Sequence, residues 1–392
     1  MEDFHKIGSS LPTIPECNIP SKIWNMRGLK LHNQPNHPLQ ILKNHMYNYF
    51  GEDYMKYDEL NDIVSTEDNF DKLLVPADHV CRSKSDTYYI DNNTVLRTQT
   101  TSHQTQLLEQ MAKEPESELG QKKAFLITGD VYRKDEIDRT HYPVFHQMEG
   151  LRIVNDDQDP SDELHKVLGG LVEYLFPGCK YRVSPDKFPF TEPSWEYEVK
   201  YKDGPDDDEK NWLEILGCGV TKQTILTNSG YTDVKAWAFG LGLERLAMHV
   251  FSIPDIRMFW SKDEKFLSQF KDGKIVKFEQ YSLLEPIQRD ISFWIPESDI
   301  EKEENITKST WKKQNDFYDF IRRHDTNNMI EDITCFDAFF HPKKKMLSHA
   351  YHITYSPPDT IINDPAVLSK LANELNQSYY ETINDVLNVE HR

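Results

Sequence analysis

Apolar positions recur along this chain in two rhythms. After Pro38, residues Leu39, Leu42, Met46 and Phe50 fall on one side of a helix, and a proline in the first turn suits a helix start. The stretch 162–176, DELHKVLGGLVEYLF, has the same period and is stopped by Pro177 and Gly178. Between these helical stretches the rhythm shortens. Segments 125–134 (FLITGDVYRK) and 146–154 (HQMEGLRIV) read as two strands joined by a polar loop. Segments 194–201 and 211–220 read as a hairpin around the acidic turn KDGPDDDEK, which is expected to be a solvated loop. WAFGLGLERLAMHVF, 237–251, predicts a strand, a tight glycine turn and a buried helix. Short hairpin connections predict a largely antiparallel sheet.

Punctuation divides the chain. Residues 1–38 carry Pro12, Pro15, Pro20, Pro35 and Pro38 and are expected to form an extended arm. Residues 39–260 make the main domain, and the charged run 261–275 reads as a linker. Residues 276–392 read strand, helix, strand, strand, helix, which is the split βαβ, ferredoxin-like pattern. The fold class expected is therefore α+β in two domains.

Composition narrows the function. The 392 residues carry 45 Lys and Arg against 65 Asp and Glu, a net charge of −20. That excludes a generally basic nucleic-acid coat protein but leaves room for a local basic face. The cysteines at 17, 81, 179, 218 and 335 form no C-x-x-C pair, so neither a zinc ribbon nor a disulfide framework is expected. His141 and His146, and His349 and His352, lack acidic or thiol ligands at metal-binding spacing, so no structural metal is expected. No apolar run is long enough to span a membrane. MEDFHKIGSS has neither the apolar core of a signal peptide nor the basic character of a transit peptide.

The candidate chemistry lies in two fragments. In 129–150 one strand ends in Arg133 and the next carries Gln147 and Glu149, two apart and so on one side. A carboxylate beside an amide suits a substrate ammonium, and an arginine suits a phosphate or carboxylate. Taken alone, such a pair is more often a surface ion pair. In 238–246, AFGLGLERL, Gly240 and Gly242 permit close approach of a ligand, while Glu244 and Arg245 open an apolar helix and need partners. A lone GLG is explained equally well by tight packing.

In this order the two fragments resemble motifs 2 and 3 of class II aminoacyl-tRNA synthetases. NFDKLLVPADHVCR, SDTYYI, LRTQTTSHQ, FPFTEPSWE and WLEILGCGV narrow the resemblance to phenylalanyl-tRNA synthetase. QRDISFW and FFHPKKK resemble the anticodon-binding domain of the single-chain, mitochondrial type. The resemblance implies a class II antiparallel sheet flanked by helices, with a C-terminal ferredoxin-like anticodon-binding domain. It implies activation of phenylalanine with ATP and Mg²⁺, transfer to tRNA(Phe), a monomer, and the mitochondrial matrix or another organelle.

Its residues carry over as follows. Arg133, Glu214 and Arg245 serve catalysis. Thr101, Ser102, His103, Gln104, Gln147, Met148, Glu149, Phe188, Phe190, Ala238, Phe239 and Gly240 hold phenylalanine. Thr140, His141, Tyr142 and Phe145 join the three catalytic residues around ATP, with Phe145 stacking on adenine. Three departures stand out: Gln99 and Thr101 where the family usually has histidine and serine, and Val80-Cys81 before Arg82.

For tRNA the candidates are Lys343, Lys344 and Lys345, with Arg322 and Arg323, and Lys312 and Lys313, as further clusters. Each reads equally well as solvated surface, because residues 276–392 hold 13 basic and 20 acidic residues. The competing readings are a catalytically silent, synthetase-like RNA-binding protein and a class II enzyme for another amino acid. Neither Ser-His-Asp nor Cys-His is required, since activation brings two anions together in line.

Overall fold

The computed structural model describes residues 11–155, 157–201, 204–281, 283–301 and 309–392. A seven-stranded sheet forms its centre, in the order β1 (Met55–Tyr57), β2 (Ala124–Tyr132), β3 (Val144–Val154), β7 (Lys235–Gly242), β6 (Trp212–Thr221), β5 (Thr191–Lys200) and β4 (Tyr181–Asp186). Every pair is antiparallel except β1 with β2. All nine positions of β2 are buried, as expected of an inner strand covered on both faces.

Helices α1 (Pro38–Phe50), α3 (Pro160–Leu175) and α4 (Leu243–Val250) pack behind the sheet. α1 forms where the apolar period predicted it. The His37 side chain caps it by accepting from the Leu39 N–H, and Gly51 at φ 65° ends it. Asp159 caps α3 ahead of Pro160. α2 (Gln104–Lys113) lies on the other face, with Leu107 and Leu108 against β2 and β3.

The second unit has β8 (Ile287–Pro296), α5 (Gln314–His324), β9 (Ile330–His341), β10 (Met346–Tyr355), α6 (Pro365–Leu387) and β11 (Glu390–His391). Its sheet runs β9-β10-β8-β11, all antiparallel. Among the described residues no helix is long and apolar enough to cross a membrane.

Three expectations change. The proline-rich arm is not loosely extended in its described part: it holds a helix, Ser21–Met26, and buries Ile19, Ile23, Trp24, Leu31 and His32. The reason is its scattered apolar residues, which periodicity could not pair. The charged run 261–275 is anchored, because Phe266 and Phe270 are buried against Phe251 and Phe278. Gly240 and Gly242 do not make a tight turn; they are strand residues running straight into α4. The described part of the acidic turn is exposed, as expected.

Candidate active site

Arg133 follows β2 and is held from several sides. Its N–H donates to the Pro143 carbonyl (3.0 Å), closing the base of the 133–143 loop. Its Nε donates to the Thr98 carbonyl (2.7 Å), and its guanidinium lies 5.3 Å from the Phe145 ring centroid. Gly129, four residues back, leaves room for Arg97: a Cβ there would stand 2.0 Å from the Arg97 guanidinium.

On β3 the two-residue period decides which side chains meet substrate. Gln147 and Glu149 face the front. They pair in register with Gly242 and Gly240 of β7, where an added Cβ would meet nothing within 4 Å. The two glycines thus leave open space above their strand. His146 and Met148 point backwards, and Met148 is buried in the rear core. The expectation that Met148 touches phenylalanine fails for this reason.

A cavity of about 610 Å³ opens in front of Glu149. Its polar lining holds Thr101, Gln104, Gln147 and Glu149, together with Arg133 and Glu214. Glu149 is 2% exposed and accepts from Gln104 Nε2 (3.0 Å). Burial pushes its pKa up to about 8, against the lowering effect of Thr101 and Gln104. The apolar wall holds Phe188, Phe190, Ala238 and Gly240. The two phenylalanine rings are parallel within 8°, 5.9 Å apart. Phe239 borders the cavity, but its ring lies on the rear face, stacked on Phe50 (5.4 Å) and seated on Gly150. Ser102 and His103 turn away: Ser102 Oγ donates to the Gln99 carbonyl (3.0 Å), and His103 Nε2 lies 2.9 Å from the Asn61 carbonyl.

A second cavity of about 320 Å³ adjoins the first and shares Arg133, Asp135, Gln147, Glu214 and Gly240 with it. Thr140, His141, Tyr142 and Phe145 line one side and Arg245 the other. Asp138 orders the loop by accepting from the His141 N–H (2.9 Å) and from Thr140, while His141 Nδ1 lies 2.7 Å from its carboxylate. That contact raises the His141 pKa. Arg245 Nη1 lies 3.4 Å from Glu214 Oε2. Glu244 is not offered to a nucleotide: it accepts from the N–H and Nδ1 of His146, at 2.8 and 2.6 Å.

The second unit grips this loop. Ile137 is buried in the second unit's core, and the Ile333 N–H donates to its carbonyl (3.2 Å). Arg139 pairs with Glu331 (2.6 Å), and Lys134 with Asp316 (3.0 Å). Arg322 donates to the carbonyls of Asp135 and Glu136, and Arg323 pairs with Asp319. Arg322, expected to be free for tRNA, is thus occupied at this seam. Lys312 donates to the Ser298 carbonyl and Lys313 pairs with Asp299. Lys343, Lys344 and Lys345 are exposed at the β9–β10 turn.

The sequence reading missed Gly217. A Cβ there would stand 2.7 Å from Phe188. The signal was available: Gly217 and Gly219 lie two apart on one strand and leave one side of it bare.

A front-facing antiparallel sheet, an arginine closing a capped loop and two confluent cavities define a class II aminoacyl-tRNA synthetase core. The chain belongs to that family: residues 24–270 match the family described as "tRNA synthetases class II core domain (F)". Among its relatives is the chloroplastic/mitochondrial phenylalanine–tRNA ligase of Arabidopsis thaliana, 43% identical over 96% of this chain and 83% of that protein. The mitochondrial phenylalanine–tRNA ligase of Mus musculus is 37% identical over 98% of this chain and 88% of its own length. A phenylalanine–tRNA ligase alpha subunit of Yersinia enterocolitica is 35% identical over 63% of this chain and 71% of that one.

Proposed function

We propose that the two confluent cavities hold phenylalanine and ATP, so that the residues they share bring the reacting groups together. The activity is ligation of phenylalanine to tRNA(Phe), as in the named relatives. The supporting observation is the common wall: Arg133, Asp135, Gln147, Glu214 and Gly240 border both spaces. Glu149 and Gln147 receive the substrate ammonium, and Phe188, Phe190 and Ala238 enclose the ring. The substrate carboxylate then lies at Arg133, which also faces the α-phosphate. A carboxylate oxygen attacks the α-phosphorus, the bond to the β-phosphate oxygen breaks, and pyrophosphate leaves toward Arg245 and His141. Two cations offset charge that the anions would otherwise set against each other.

Mg²⁺ fits this site. The donors suit a hard ion: the Glu214 carboxylate borders both cavities, and burial together with the nearby Glu214 and Asp186 carboxylates raises the pKa of Glu196, a repulsion that a divalent ion would relieve. Bound with ATP, the ion would neutralise phosphate charge; Glu214 and Glu196 are the residues that would hold it. Selectivity against tyrosine rests on pocket size alone, which discriminates on the order of 100-fold, so some tyrosine is activated.

The second unit, in the strand and helix order of a ferredoxin-like domain, is the proposed anticodon-binding part. Lys344 lies 5.0 Å from the Trp294 ring centroid. Phe336 and Phe339 are 49% and 45% exposed, and Phe336 stacks on His352 (3.8 Å). Exposed aromatics beside lysines suit single-stranded bases. The chain is placed in an organelle, as its relatives' names suggest, and acts as a monomer.

ATP–pyrophosphate exchange tests the reading. Phenylalanine-dependent exchange is expected, with a small tyrosine signal and none without amino acid. Folded protein silent with every amino acid would replace it with an RNA-binding role.

A further inference from the structure

On the rear face of the sheet, behind the substrate cavities, three acceptor atoms converge without a hydrogen between them. His32 comes from the N-terminal segment, Asp130 from β2 and His146 from β3, at 1%, 5% and 0% exposure. Each histidine has one ring nitrogen already engaged. His146 Nδ1 lies 2.6 Å from Glu244 Oε1, and His32 Nε2 lies 3.2 Å from the Asp58 carbonyl. A carboxylate and a carbonyl only accept, so those two nitrogens carry the hydrogens. The opposite nitrogens, His146 Nε2 and His32 Nδ1, therefore present lone pairs. Neither has a hydrogen-bond partner among the described residues. They lie 3.6 and 3.5 Å from one oxygen, Asp130 Oδ1, and all three atoms fall within 4.8 Å of one another.

Lone pairs turned toward a carboxylate in a sealed interior repel one another unless a cation lies among them. A proton on His146 Nε2 would serve one nitrogen and leave His32 Nδ1 unsatisfied. A metal ion serves both. We propose that His32, Asp130 and His146 bind one divalent transition-metal ion, zinc by the nature of the donors. Bonds of about 2.0–2.1 Å around a tetrahedral ion space its ligand atoms about 3.3–3.5 Å apart, close to the separation of each histidine nitrogen from Asp130 Oδ1. Imidazole donors favour zinc over magnesium or calcium. The engaged nitrogens have the outer partners of a zinc histidine, Glu244 on one ring and a backbone carbonyl on the other. Spacing in the sequence hid the set, since His32 stands almost a hundred residues from Asp130. The ion would tie the N-terminal segment to β2, β3 and, through Glu244, the helix that carries Arg245.

The test uses the full chain, produced in zinc-supplemented medium and exchanged into metal-free buffer. Elemental analysis is expected to give about one zinc per chain. Protein produced with cobalt is expected to show the visible absorption of a tetrahedral Co²⁺ site. His32→Gln should lose both signals; His141→Gln, which alters a half-buried cluster with Glu136 and Asp138, should keep them. Folded wild-type protein without stoichiometric metal overturns the proposal and leaves a proton on His146. Metal retained in His32→Gln overturns it equally, whether or not a His146 variant folds.

Discussion

The two ends of the substrate channel are built by opposite means. The amino-acid end is built on the sheet, with segments 75–87, 98–104 and 187–190 packed over it and Asn315 of the second unit in its lining. Its polar group, Glu149, is buried, and its walls are positioned by strand register. The ATP end depends on an eleven-residue loop, 133–143, whose hold comes from the other unit, through Ile137, Arg139 and Lys134. Preorganisation in a sheet suits discrimination of a small ring, where fractions of an ångström decide. A loop held from outside suits a larger charged substrate whose binding depends on the second unit. Variants at the two ends should therefore fail differently.

Of the residues common to both ends, Arg133 should matter most. Arg133→Ala removes the donor to the carboxylate and the α-phosphate together. Exchange should fall roughly 100- to 1,000-fold, the usual cost of one charge-stabilising donor, with an unchanged circular dichroism spectrum.

At the amino-acid end the expected signature is in pH. Burial lifts Glu149 to about 8, so near neutrality the free protein holds it mostly protonated. An ammonium needs the carboxylate, so binding releases a proton. The KM for phenylalanine should fall as pH rises from 6 toward 8, by up to about tenfold per unit. In Glu149→Gln it should be raised and flat. The KM for ATP should not follow this slope in either protein; a shared slope would break the distinction between the two ends.

Gly217→Ala sharpens the same contrast by shape alone. Its Cβ would displace the Phe188 ring, 2.7 Å away, into the cavity. The KM for phenylalanine should rise by about tenfold, the scale of a methyl-sized misfit in an apolar pocket, and the KM for ATP should stay constant in steady-state exchange.

What the chain disclosed follows the same division. Arg133, Gln147 and Glu149 were legible because strand period sets them within one short stretch, whereas Phe188, Phe190 and Ala238, which line the same cavity, were named by the family resemblance alone. Met148 was misplaced, although the same period sends it backwards, while Phe239 does line the cavity with its ring turned to the rear face. Partners made by tertiary folding were illegible. Arg322 is drawn to the backbone of Asp135 and Glu136, and Glu244 to His146, across distances no window spans. The buried N-terminal segment and the anchored connector were missed likewise, since isolated apolar residues among prolines or charges show no period.

The smallest effect belongs to the seam. Arg139 is half exposed and meets Glu331 in a single ion pair at 2.6 Å. Pairs of this kind contribute about 0.2–1 kcal/mol, which sets the scale for Arg139→Ala. The loop keeps Ile137 in the second core and Lys134 on Asp316, so it loosens without leaving. The KM for ATP should rise by roughly twofold to fivefold, while that for phenylalanine holds, because Glu149 and Phe188 rest on the sheet and its own turns. Raising the salt concentration should raise the KM for ATP in both proteins, and by more in the wild type, where the Arg139–Glu331 pair is screened as well. Equal loss of phenylalanine and ATP affinity would mean that the two ends are held as one body, and the contrast between sheet-built and loop-built halves would fall.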